Sequence, residues 1–212
     1  MKKDGIAKNT MVLVIMTLIL GVILGSVHYV TEKPIAAQEK KQHDEALIAV
    51  MPDDQKDAEF ETVDLAKDGT DQKIKDAIAA EGLTAESIDE MNIAKDSSGK
   101  EEAYVFTVTT TEGYGGTIQF VLGVDTEGAI TGISFLSIQE TAGLGMRWAQ
   151  EPYISRFDGK KGDKLTLVKT TTDKEDELEA ISGSTVTSNA ITNGVNAALA
   201  AYKVYTEGGA AK

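Results

Sequence analysis

Apolar residues are distributed in two different ways along this chain. Residues 11–30 read MVLVIMTLILGVILGSVHYV, twenty positions without Asp, Glu, Lys or Arg. A helix of that length crosses a hydrocarbon core about 30 Å thick. A cleaved signal peptide has an apolar region of only about 7–15 residues, and no close Ala-x-Ala site follows here. The pattern therefore predicts a cytoplasmic tail over 1–10 and an uncleaved transmembrane helix over 11–30. Residues 32–50 are charged with spaced alanines, then Leu47, Ile48 and Val50. This predicts a helical stalk over 31–55, with Pro34 in its first turn and residues 51–54 ending it.

Beyond the stalk the apolar spacing is that of a folded domain, placed at 56–205. Ile74 and Ile78 stand four apart within 71–81, which predicts a short helix stopped by Gly82. Residues 96–99 read as a turn. Residues 104–111 are rich in branched and aromatic side chains and read as a strand, broken by 113–116. A second strand follows at 117–124, a turn at 125–128 and a third strand at 129–138, giving an antiparallel meander. Residues 165–168 read as an edge strand and 170–179 as a polar exposed loop. A closing helix is expected over 186–202. In it Asn189, Ile191, Val195 and Leu199 recur near helical spacing, and four alanines allow close packing. The tail, 206–212, is small and polar and is expected to fray. The fold class is α+β, with helices packed on an antiparallel sheet.

Charge and composition narrow the chemistry. The 212-residue chain has a net charge of −13, while its first thirty residues carry +2. An acidic domain lacks the basic face that nucleic acid requires. Cysteine is absent, which excludes disulfides, thiolate metal sites, iron–sulfur clusters, cysteine nucleophiles and a lipid-modified cysteine anchor. His28 lies in the apolar span and His43 on the stalk, so neither a metal pair nor a Ser–His–acid set is expected. Lys2, Lys3 and Lys8 precede the span, which places the tail in the cytoplasm and the domain outside the cell membrane.

Three segments bear chemistry. Gly113-Tyr114-Gly115-Gly116 has neither the spacing nor the lysine of a nucleotide loop; alone, it is a tight turn. Glu140-Thr141-Ala142-Gly143-Leu144-Gly145 places a carboxylate and a hydroxyl beside two glycines that permit close backbone approach. Glu179-Ala180-Ile181-Ser182-Gly183-Ser184-Thr185 delivers hydroxyls, with Thr187, to the start of the closing helix. Such a start offers free N–H groups and a favourable dipole to a phosphate. Read alone, such a Ser/Thr cluster before a helix is most often an ordinary N-cap.

The order of these segments resembles the FMN-binding subunits of Rnf and Nqr ion-translocating complexes. That family carries Glu-Thr-Pro-Gly-Leu-Gly, then Asp-x-x-Ser/Thr-Gly-Ala-Thr before a terminal helix. Here Ala142 replaces the proline, Glu179 the aspartate and Ser184 the alanine. The likeness covers about residues 113–201. By length the chain is more similar to the G subunit of an Rnf complex than to the C subunit of Nqr. The resemblance implies covalent FMN, moved by a flavin transferase from FAD onto Thr185 as a phosphoester. It implies further contacts from Ser182, Gly183, Ser184, Thr187, Glu140, Thr141, Gly143, Leu144, Gly145 and Tyr114. It names no catalytic side chain and no metal, since the flavin carries the chemistry. The implied role is a redox subunit, inactive alone, in a ferredoxin:NAD oxidoreductase coupled to Na⁺ or H⁺ transport. Its partners would be other membrane subunits, with ferredoxin and NAD reached only through the complex. Two other readings stay open: a stand-alone tethered flavoprotein, and a non-enzymatic extracytoplasmic assembly module.

Overall fold

The computed structural model describes residues 3–170 and 172–208, apart from the side chains of 3–7 and 68. It divides into two compact units, Met1–His43 and Asp44–Lys212. Helix α1 (Lys3–Ala49) contains the apolar run. Among the described residues it is the one helix long and apolar enough to cross a membrane, with a mean hydropathy of 2.6 in its most apolar stretch. Its apolar side chains are exposed, from Met11 at 66% to Val30 at 71%. Pro34 lies inside this helix and does not open a new one. The missing N–H removes one backbone bond, to the carbonyl four residues earlier, and the turns on either side continue. Lys2 and residues 209–212 of the expected tail lie outside the described residues, while Thr206 and Glu207 still belong to the closing helix.

The second unit is α+β, as its hydrophobic pattern indicates. Strands β1 (Glu59–Thr62), β2 (Glu86–Lys95), β3 (Glu101–Thr110), β4 (Ile118–Asp125) and β5 (Ile130–Ile138) form one antiparallel meander in chain order. Helix α2 (Thr70–Ala80) links β1 to β2, and α3 (Thr185–Glu207) closes the fold. Alternation divides the side chains between two faces. Tyr104, Phe106 and Val108 of β3, with Ile118, Phe120, Leu122 and Val124 of β4, join Ile74 and Ile78 of α2 and Ile191, Val195 and Leu199 of α3. Ala103, Val105 and Val121 face the other way, against Ala46, Leu47 and Val50 at the end of α1. Gly123 and Gly132 pair across β4 and β5. A Cβ on Gly123 would lie 2.8 Å from the Val50 carbonyl oxygen, and one on Gly132 would lie 3.2 Å from the Val50 Cα. The glycines thus let the helix end sit directly on the sheet. The Thr131 hydroxyl secures it by donating to the Val50 carbonyl at 2.7 Å.

Several elements differ from the expected ones. β1 and β2 occupy segments given no strand by the sequence pattern. Residues 165–168 do not extend the meander: β6 (Thr166–Val168) pairs in parallel with β7 (Glu177–Glu179) in a separate two-stranded sheet. The exposed loop over 170–179 therefore ends in a strand whose Leu178 is buried. Asn189 lies on the exposed side of α3 and donates to the Thr185 carbonyl at 2.9 Å. Of the four spaced positions, Ile191, Val195 and Leu199 alone face the core.

Candidate functional site

Three turns meet beside the start of α3. The first follows β3 and contains Tyr114. The second follows β5 and runs into a 3-10 turn, Gly145–Ala149. The third, 181–184, leads from β7 into α3. One side chain holds them together. The Glu140 carboxylate accepts from the Gly115 N–H at 3.2 Å through Oε1 and from the Thr187 hydroxyl at 3.0 Å through Oε2. The glycines make this approach possible. A Cβ on Gly115 would lie 1.8 Å from the Gln139 carbonyl oxygen. A Cβ on Gly145 would lie 2.7 Å from both Glu140 Oε2 and Thr187 Oγ1. The 113–116 segment is thus more than a hairpin connection, because it closes onto Glu140.

The third turn is anchored from below. Trp148 is fully buried, and its indole N–H donates to the Ser188 hydroxyl at 3.1 Å. Ser188 donates in turn to the Ser184 carbonyl at 2.9 Å. Ser184 is the residue before the helix, yet no side chain caps the first turn of α3. Its hydroxyl donates instead to the Ile181 carbonyl at 3.3 Å, and that of Thr187 is committed to Glu140. The ordinary-cap reading therefore does not describe this turn. Its first amides are left for another acceptor.

Between the turns lies a cavity of about 480 Å³, within the usual range of small-molecule sites. Its walls hold nine of the eleven residues singled out in the sequence: Tyr114, Glu140, Thr141, Leu144, Gly145, Gly183, Ser184, Thr185 and Thr187. Gly143 and Ser182 do not border it. Gly143 supplies a left-handed turn conformation at φ +75°, and Ser182 borders a neighbouring cavity instead. Val186 joins the walls and was not anticipated from the sequence. Its side chain is 51% exposed, beside Leu144 at 40% and Tyr114 at 74%. Outside α1, these are the large exposed apolar side chains among the described residues. Their gathering at one cavity marks a surface that an apolar ligand group would cover. Ser184 and Thr187 are 5% and 1% exposed, whereas Thr185 is open to solvent. Of the three hydroxyls in the motif that border this cavity, only that of Thr185 is accessible.

Fold and cavity together define a small-molecule-binding α+β domain that follows one long apolar helix. A family described as the FMN-binding domain matches residues 113–200. The chain is 34% identical over 198 residues to the G subunit of the Na⁺-translocating ferredoxin:NAD⁺ oxidoreductase complex of Acetobacterium woodii. That match covers 92% of this chain and 91% of the relative. It is 30% identical over 204 residues to the G subunit of the proton-translocating ferredoxin:NAD⁺ oxidoreductase complex of Clostridium ljungdahlii, covering 96% and 94%. Among solved structures, NqrC of Shewanella oneidensis is similar with a TM-score of 0.49 and 18% identity, over 58% of this chain and 61% of that one. The chain belongs to the G-subunit family of ion-translocating oxidoreductase complexes. The family match begins at Gly113, so β1, β2 and β3 lie ahead of it in the same sheet.

Proposed function

We propose that this protein is the covalent-FMN electron-transfer subunit of a membrane-bound ferredoxin:NAD oxidoreductase coupled to ion transport. Thr185 is the attachment residue. The observation that carries this reading is the single exposed hydroxyl at the uncapped start of α3, bordering a cavity walled by three exposed apolar side chains. The residues fit the group at both ends. Tyr114, Leu144 and Val186 offer apolar faces to an isoalloxazine ring. The free amides and dipole at the start of α3 suit the phosphate that joins it to Thr185. When bound, FMN supplies one- and two-electron redox chemistry.

The chain's own residues hold that group. Glu140 keeps the 113–116 turn and the first turn of α3 in register. Gly145 leaves room for this carboxylate. Trp148 and Ser188 fix the 181–184 turn so that Thr185 stands at the cavity edge. Covalent attachment keeps the flavin on a domain facing the outside of the cell, where a free cofactor would be diluted away. α1 anchors the chain, with its N-terminus in the cytoplasm. Partner membrane subunits supply the ion pathway and the route to ferredoxin and NAD.

The test is an intact-protein mass after co-expression with a flavin transferase, followed by peptide mapping. The expected gain is one FMN less one water, on the peptide containing Thr185. Thr185→Val removes the hydroxyl with little change of shape and should abolish the gain, while Ser184→Ala should retain it. An unmodified Thr185, with a loaded control protein, would overturn the assignment.

A further inference from the structure

The chain has only two arginines among its 21 basic residues, Arg147 and Arg156. Both reach the same tyrosine. Their guanidinium carbons lie 4.4 Å and 4.7 Å from the ring centroid of Tyr153. Together with Lys169 they border a cavity of about 470 Å³, whose remaining wall follows the chain from Glu179 to Gly183 and includes Thr185. Gly183 and Thr185 also border the apolar-walled cavity described above. Thr185 therefore stands where an apolar site and a cationic site adjoin.

The cations are not equivalent. Arg156 donates to the Glu179 carbonyl at 2.9 Å and lies 3.7 Å from the Glu179 carboxylate. Its charge is largely answered within the fold. Arg147 and Lys169 have no carboxylate within 4.0 Å among the described residues. Arg147 is half-buried all the same, with its guanidinium carbon over the Tyr153 ring, in a protein of net charge −13. A guanidinium fixed in this way presents its paired N–H donors with little further loss of freedom, a geometry that matches two oxygens of one phosphate. Lys169 adds an exposed positive charge, and the exposed Ser182 adds a hydroxyl.

We propose, building on the flavin reading of Thr185, that the basic side chains of this cavity join the adjoining α3 amides in binding the one phosphate of the flavin nucleotide. Arg147 and Lys169 are its binding residues; Tyr153 and Arg156 are positioning residues that hold the Arg147 side chain and the adjoining strand. The ring then occupies the apolar cavity, and the phosphate crosses the Gly183–Thr185 border. Glycine at 183 suits that border, since its φ of +81° is one that larger residues seldom adopt.

FMN and riboflavin differ by one phosphate, so they form the test pair. The full chain, purified in detergent from cells without a flavin transferase, is titrated with each ligand, and quenching of flavin fluorescence is followed. FMN should bind at least about tenfold more tightly than riboflavin at low salt, and the difference should narrow as salt is raised. Arg147→Met keeps an apolar stem against Tyr153 and removes the charge. It should weaken FMN binding about tenfold and leave riboflavin binding unchanged. Lys169→Gln, an exposed change that spares the fold, should act in the same direction with a smaller effect. Equal affinity for the two flavins, or an unchanged FMN-to-riboflavin ratio in both variants, would overturn the phosphate assignment while leaving the flavin reading intact. Failure of either flavin to bind would also overturn it, and the mass of the Thr185 peptide would then decide the flavin reading separately.

Discussion

The Ser188 hydroxyl serves three groups at once beneath the 181–184 turn. It accepts from Trp148 Nε1 at 3.1 Å and from the Ile181 N–H at 3.4 Å, and it donates to the Ser184 carbonyl at 2.9 Å. All of this is buried. Ser188→Ala would strand two donors away from water, so a loss of about 1–3 kcal/mol is expected. Urea denaturation measures it, and Ser188→Thr, which keeps the hydroxyl, should recover part of it. Glu86 presents a different cost. Burial first, and the neighbouring Glu112 second, push its carboxyl above the usual carboxylate range. The folded state then holds this proton more tightly than the unfolded chain does. Between the ordinary value of 4.5 and the raised one, the folded state binds more protons, so its stability falls as pH rises. At about pH 4 the penalty has almost gone, and it grows as pH rises from there. Glu86→Gln should therefore raise the urea midpoint at pH 7 and leave it nearly unchanged at pH 4. An equal gain at both pH values would show that ionisation of Glu86 is not the cause.

The elements show how far local pattern reaches. β3, β4 and β5 alternate clearly between apolar and small or polar residues, so their pairing was readable within a few residues at each end. β2 lies inside the same sheet and was not. Its polar positions are satisfied by other strands: Asp89 accepts from Gln119 at 2.9 Å, and Asn92 accepts from Thr62 at 2.8 Å. That compensation is non-local, so the segment reads as polar chain. β7 was missed for a similar reason, as Leu178 between two glutamates becomes a core residue only through parallel pairing with β6. The site motifs were legible because each is local. The role of Glu140 in joining them, and the meeting of Arg147 with Arg156, depend on tertiary contact. The sole sequence sign of the latter was that the chain's two arginines stand nine residues apart. Gly194 is another position where the helix pattern alone misleads. Propensity favours alanine within α3 by about 1 kcal/mol. A Cβ there would lie 2.8 Å from Phe120 Cζ, and that ring is fully buried against Phe135. Overpacking costs about 1–3 kcal/mol, so Gly194→Ala should destabilise the domain by up to about 2 kcal/mol net. Thermal unfolding of the two proteins compares them directly, and a stabilised variant would show that the ring has room to move.

For the whole molecule, function depends on which side of the membrane the domain occupies. Under the proposed function, a flavin held at Thr185 would serve partners on that side alone. Charge supplies the argument. Lys3 and Lys8 sit ahead of the apolar run, while residues 31–212 are strongly acidic. Basic residues are retained in the cytoplasm, whereas acidic ones contribute little to orientation. The short basic end should therefore stay inside and the domain should cross. The absence of cysteine makes this directly measurable, because any introduced thiol is the only one. Ser97 lies in the exposed turn between β2 and β3, and Asn9 is exposed on the far side of the apolar run. Ser97→Cys should react with a membrane-impermeant maleimide in intact cells that lack an outer membrane barrier. Asn9→Cys should react only after the membrane is opened. The reverse pattern would place the domain in the cytoplasm. The dilution argument for covalent attachment would then fall, and the flavin would face partners on the opposite side. Labelling of both thiols in intact cells would show that the chain does not cross as a single span.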